Sequence, residues 1–129
     1  MNEFKVYYED TDASGRVYHA NYLKYLERSR SNFIYQSKYN HAILLKKFKI
    51  IFVVKNCNIE FIKPAFFEDT IKVISTIKEL SKVKINFSQK IFRENELLLN
   101  ANVLVIPVNK LGKIVKLPDE LLSYLEKLN

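Results

Sequence analysis

Residues 9–30 read EDTDASGRVYHANYLKYLERSR. The first half is polar and holds Glu9, Asp10, Asp12 and Gly15; the second half changes to helical spacing. Tyr22, Leu26, Ser29 and Phe33 fall at i, i+4, i+7 and i+11, with Leu23 and Ile34 alongside and Glu27, Arg28 and Ser31 mostly off that stripe. This pattern predicts a helix over about residues 20–36. Ser29 on the apolar side is small enough to let a sheet approach closely. A carboxylate-bearing loop that runs straight into a helix N-terminus has a chemical use. The helix end offers free backbone N–H groups and positive partial charge to a developing oxyanion, and a nearby carboxylate acts as a nucleophile or as a general base on water. Acyl transfer is the reaction class that needs both.

Outward from this stretch the periods are simple. Residues 3–8, EFKVYY, have strand character, and 37–49 predict a loop and a short helix over Ala42 to Phe48. From residue 50 the period becomes two. In IIFVVKNCNIEFIKPA, Val53, Cys57, Ile59 and Phe61 are expected on one face, with Lys55 interrupting it at an edge or bend and Pro64 ending the strand. Ile71, Val73, Ser75 and Ile77 share a face in the next run; Val83, Ile85, Phe87 and Ile91 alternate with Lys84, Asn86, Ser88 and Lys90 in the cleanest one. After a turn at Arg93 to Glu96, Leu97, Leu99, Ala101, Val103 and Val105 line a last strand. Four consecutive strands predict an antiparallel meander with one face covered. A turn at Asn109-Lys110-Leu111-Gly112 precedes a C-terminal helix, with Pro118 suited to its first turn, Asp119 and Glu120 to its positive end, and Leu121, Leu122, Leu125 and Leu128 to its apolar face.

At 129 residues, residues 1–129 are expected to form a single domain, and 48% hydrophobic content with 8 Tyr and 9 Phe argues for a packed core. The lone Cys57 excludes an intramolecular disulfide and a multi-cysteine metal site. His19 and His41 stand in no metal-ligand spacing, so no metal and no cofactor are expected. The N-terminus lacks the pattern of a signal peptide and no apolar run is long enough to span a bilayer, so a cytoplasmic, non-transmembrane protein is expected. The net charge of +7 comes mostly from lysines that read as scattered along the chain; it admits nucleic acid, anionic lipid or a phosphorylated small molecule, or simply a lysine-biased composition.

The run Asp12-Ala13-Ser14-Gly15-Arg16-Val17-Tyr18-His19, then Asn21-Tyr22-Leu23 and Glu27-Arg28-Ser29-Arg30, resembles the signature of the 4-hydroxybenzoyl-CoA thioesterase family. Within it, the run is most similar to the bacterial acyl-CoA thioesterases associated with the Tol-Pal envelope system. The resemblance implies an α+β hotdog fold, a five-stranded curved antiparallel sheet wrapped around one long central helix, with a short C-terminal helix. It implies hydrolysis of short-chain or aromatic acyl-CoA thioesters, with coenzyme A present only as part of the substrate. Asp12 matches the family's catalytic aspartate, as nucleophile or general base, and the His19 backbone N–H matches its oxyanion donor; the His19 side chain either meets the leaving thiolate or water, or packs and caps. Tyr18, Gly15 and Arg16 are expected around the substrate. Ser81, Lys82 and Lys84 match the region that binds the nucleotide in several relatives, and are otherwise a solvated turn. A homodimer or homotetramer is implied, with sites between paired subunits, and an acyl carrier protein or envelope partner is admitted.

Two positions depart from that pattern: Ser14 replaces a frequent glycine, tolerated unless the site needs positive φ, and Arg16 replaces an aliphatic residue and bears on substrate choice. Glu9 and Asp10 read as loop caps or partners of Arg16 or a lysine, Glu27 and Arg30 as an i,i+3 pair, and Cys57 as core. The sequence weakens two further enzyme and binding classes. A carrier-thioester dehydratase uses a histidine in a proline-rich context, whereas His19 precedes Ala20-Asn21; no nucleic-acid-binding signature is present. A non-catalytic acyl-, lipid- or protein-binding module at the envelope is the alternative function.

Overall fold

The period-two runs become strands and the 3.6-period runs become helices. The computed structural model describes residues 1–128. β1 (Asn2–Lys5) leads through a 3-10 turn at Tyr8–Asp10 to the motif loop, and a second 3-10 turn at His19–Asn21 passes directly into α1 (Tyr22–Tyr35). Then follow α2 (His41–Phe48), β2 (Ile51–Phe61), β3 (Thr70–Ser81), β4 (Lys84–Arg93), β5 (Glu96–Val108) and α3 (Asp119–Leu128). The five strands form one antiparallel sheet in the order β1-β3-β4-β5-β2. Extra residues in β2, β3 and β5 bend and coil it, as bulges do, around α1. The expected hotdog architecture, including the C-terminal helix, is what the chain adopts.

The core lies between α1 and the concave face of the sheet. Tyr22, Tyr25, Leu26 and Ile34 of α1 are buried with Ile71, Val73 and Ile77 of β3, Ile85, Phe87 and Ile91 of β4, and Leu99, Ala101 and Val103 of β5. Leu121 and Leu125 of α3 close the same cluster. Ser29 marks the close helix–sheet approach that its size permits: its hydroxyl lies 2.7 Å from that of Ser75 on β3 and donates to Asn2 at 2.8 Å. The helix stripe is rotated from the expected one, burying Tyr25 and Ser31 and leaving Leu23 exposed.

One buried polar side chain joins the layers. Gln89, on the apolar face of β4, donates to the Leu26 carbonyl at 3.0 Å and the Ser75 hydroxyl at 2.8 Å, and accepts from the Arg30 guanidinium at 3.0 Å. Burial pushes the Arg30 guanidinium below its ordinary value, so this acceptor matters to it. Gln89→Leu keeps the volume and strands these groups; it is expected to cost about 2 kcal/mol in urea unfolding, and a loss below about 0.5 kcal/mol would show the network to be dispensable.

β2 departs from the expected pattern. A bulge falls between Val54 and Asn56, at Lys55, where the sequence suggested an edge or bend. It shifts the alternation, so Phe52 and Val54 oppose Pro107 and Val105 before it, and Cys57, Ile59 and Phe61 oppose Val103, Ala101 and Leu99 after it. Val53 therefore stands on the other face. Cys57 is exposed rather than core, because β2 is the sheet edge and its inner face is only partly covered.

Candidate active site

The motif loop is a tight reversal built from its own residues. Thr11 bridges Val17, the Asp12 amide donates to the Arg16 carbonyl at 2.8 Å, and the Gly15 amide donates to the Asp12 carbonyl at 3.0 Å. Gly15 takes the left-handed corner at φ +78°, where a side chain would be strained. Ser14 has no positive φ, so its replacement of glycine is tolerated. The loop is held on the segment after β2: Val17 donates to the Ala65 carbonyl at 2.9 Å, Phe67 to the Gly15 carbonyl at 3.1 Å, and the Ala65 amide to the Tyr22 hydroxyl at 3.0 Å.

Asp12 is exposed at the head of this reversal. Its Oδ1 accepts the Ser14 amide at 2.8 Å and the Ser14 hydroxyl at 2.5 Å, so neither Ser14 bond falls on Oδ2, and the Arg16 backbone amide also faces the carboxylate. The Ser14 hydroxyl and amide, with the charge of Arg16 adding to them, hold the carboxyl below its ordinary value. It is ionised at neutral pH.

The helical run begins at His19, one residue before the expected start. The Tyr18 amide is used by the Asp10 carbonyl at 2.9 Å and the Asn21 amide by the Tyr18 carbonyl at 2.8 Å, so the His19 N–H is a free donor at the positive end of the run. The His19 ring is exposed and lies 4.6 Å from the Tyr18 ring, centroid to centroid. Tyr18 is half-exposed.

Asp10 does more than cap a turn. It is 8% exposed, accepts the Tyr7 amide at 2.9 Å on Oδ2 and the Asn21 side-chain amide at 2.8 Å on Oδ1, and its carbonyl takes the Tyr18 amide. One residue thus ties the loop entrance, its exit and the start of the helix. Burial alone would raise its carboxyl, but the Tyr7 and Asn21 bonds outweigh burial and hold it below the ordinary value. Neither Asp10 nor Glu9 pairs with Arg16, whose guanidinium lies 5.7 Å from the Phe66 ring centroid.

Ser81, Lys82 and Lys84 are not brought to Asp12 within one chain. β3 has 12 residues and spans up to about 36 Å at about 3.3 Å per residue, with the motif loop docked near its start and the Ser81–Lys84 turn at its end. Lys84 pairs with Glu79 at 2.8 Å, and the Ser81 hydroxyl accepts the Val83 amide at 3.2 Å. A second feature escaped the sequence. A cavity of about 140 Å³, lined by Ile34, Phe52, Val54, Phe87 and Val105 among others, opens beside α1. At its polar side the Ser31 hydroxyl donates to Glu27 at 2.9 Å and lies 3.0 Å from His41 Nε2. Glu27 therefore bonds Ser31 rather than Arg30. The i,i+4 spacing of Glu27 and Ser31 was a visible signal for that bond; His41 arrives from another helix and gave none. Among the described residues, no group of three or more His, Cys, Asp or Glu is placed to hold a metal ion, and no helix is long and apolar enough to cross a membrane.

A long helix wrapped by a five-stranded antiparallel sheet, entered through an acid-bearing loop, has counterparts. The profile of the Thioesterase-like superfamily matches residues 6–125. The chain belongs to this superfamily. Among superfamily relatives, the acyl-CoA thioesterase YbgC of Haemophilus influenzae is 37% identical over 118 residues, 90% of this chain and 86% of that protein. A solved structure of a probable thioesterase from Bartonella henselae superposes with a TM-score of 0.87 at 32% identity, covering 91% and 97% of the two chains. A 4-hydroxybenzoyl-CoA thioesterase mutant complexed with 4-hydroxybenzoyl-CoA shares the fold, with a TM-score of 0.89 at 16% identity over 96% of each chain.

Proposed function

We propose that this chain hydrolyses acyl-CoA thioesters to the free acid and coenzyme A, acting on short-chain or aromatic acyl groups and needing no cofactor. The observation that carries the reading is Asp12: an exposed, ionised carboxylate whose Oδ1 is fixed by Ser14, in the loop that leads to the unpaired His19 amide. Oδ2 attacks the thioester carbonyl, expelling the thiolate and leaving an anhydride that water cleaves, or it takes a proton from the attacking water. In either route the carbonyl oxygen gains charge, and the His19 N–H donates to it.

A homo-oligomer in the cytoplasm completes the proposal. The outer edge of β2 has no partner strand in the single chain, and Val54, Phe61 and Ile62 are exposed along it. Two copies paired antiparallel along β2 would set the Ser81–Lys84 end of one beside the Asp12 end of the other, where Lys82 can meet the coenzyme phosphates. The same pairing would offer the partner's apolar cavity to the acyl group, and its modest volume supports short or single-ring acyl chains. The test is turnover of a panel from acetyl- to palmitoyl-CoA plus benzoyl- and 4-hydroxybenzoyl-CoA. Free coenzyme A is followed by chromatography, since the exposed Cys57 would react with a thiol dye. Short or aromatic substrates are expected to lead; no turnover of any acyl-CoA would overturn the reading.

A further inference from the structure

The lysines that read as scattered in sequence are gathered by the fold. The end of β3, the start of β4, the end of β5 and the start of β2 meet at one end of the sheet, through the pairs Ser81–Lys84 and Ile51–Val108. The 109–117 segment folds back over this end, with Ile114 bridging Val108 and the Leu117 amide donating to the Lys82 carbonyl at 2.8 Å. Exposed lysines collect there: Lys110, Lys113 and Lys116 on that segment, Lys82 in the β3–β4 turn, and Lys46 and Lys47 at the end of α2. Of the nearby acids, Glu79 is paired with Lys84 and Glu120 with Lys38, leaving Asp119. Asp12 lies at the other end, with Glu9, Glu68 and Glu94.

Among these lysines stand two apolar side chains without cover. Leu111 is 82% exposed and Ile114 53% exposed. They are not on a loose loop. The Leu111 and Lys113 amides both donate to the Asn109 side-chain oxygen, at 2.9 and 3.1 Å; the Gly112 amide donates to the Asn109 carbonyl and the Asn109 amide to the Lys113 carbonyl, each at 2.9 Å. Gly112 turns the corner at φ +79°. The turn is built to hold Leu111 outward between Lys110 and Lys113.

We infer that this basic end docks on an anionic lipid surface, with Leu111 and Ile114 inserted at the headgroup–acyl boundary and the surrounding lysines on the headgroups. An apolar tip flanked by cations matches the two-layered chemistry of a bilayer interface. An acidic protein would instead meet an apolar patch enclosed by a polar rim, whereas Leu111 is 82% exposed and projects from its turn between two lysines. The inference does not rest on the thioesterase reading.

The test is co-sedimentation of the full chain with phosphatidylcholine vesicles, alone or with about 30% phosphatidylglycerol, at low and high salt. The wild type is expected on the anionic vesicles only, and to be released by salt. Lys110→Gln with Lys113→Gln is expected to lower partitioning by about 25-fold, about fivefold for each positive charge lost. Leu111→Ser keeps the charge and is expected to lower it by about tenfold. Both variants should retain the wild-type thermal midpoint and acyl-CoA turnover. Absence of binding to anionic vesicles at low salt, equal binding to neutral ones, or full binding by Leu111→Ser would each overturn the inference. Retention on immobilised polyglutamate without vesicle binding would assign the surface to an acidic polypeptide instead.

Discussion

Asp12→Asn is expected to lower kcat/KM on the best acyl-CoA by about a thousandfold or more, the range lost when a positioned base or nucleophile is removed. The substitution is conservative in structure. An asparagine oxygen can still accept both bonds from Ser14, and Asp12 is exposed, so the thermal midpoint should be unchanged. What disappears is the charge and nucleophilicity of the carboxylate. The same carboxylate dictates the pH dependence. Its pKa is lowered, so the reactive ionised form persists as pH falls towards the ordinary carboxyl value of 3.8. The wild-type kcat/KM is therefore expected to stay flat from about pH 8 to about pH 5. An inflection between those limits would assign the rate to another group. Equal rates for wild type and variant would remove Asp12 from the mechanism.

The fold was legible because each element is locally consistent. Residues 82–91 alternate except at Gln89, and β4 follows them; the stripe from Tyr22 to Phe33 predicts α1, and the helical run from His19 to Tyr35 lies within a residue of the expected span. Three things could not be read. A bulge resets the alternation of β2, and its effect on Val53 depends on pairing with β5. Cys57 faces the core side yet is exposed, because coverage of an edge strand is a tertiary fact. Charge position was hidden most completely, since lysines 30 or more residues apart meet only when four strand ends converge. At the site, Asp12 and the helix start were visible as a loop-to-helix motif. The role of Asp10 was not, because its bond to Asn21 spans 11 residues and depends on the angle at which the helix leaves the loop.

That bond gives the largest expected effect on stability. Asp10→Ala strands the buried Asn21 side-chain amide and the Tyr7 amide, and is expected to cost about 3 kcal/mol at pH 7, since each unsatisfied donor costs about 1–3 kcal/mol. In a chain of 129 residues this lowers the thermal midpoint by about 10 °C. Turnover should fall as well, because the Asp10 side chain holds Asn21, two residues after the His19 donor. The cost depends on pH in a defined direction. The folded-state pKa of Asp10 lies below the ordinary 3.8, so the native state favours the ionised form. Its contribution is fully present above about pH 4 and is lost as pH falls through the folded value. Urea midpoints measured from pH 7 to pH 3 should therefore show the wild type and Asp10→Ala converging in acid. A difference that stays constant over that range would mean Asp10 acts through packing alone, and no difference at pH 7 would mean the loop reaches the helix without it.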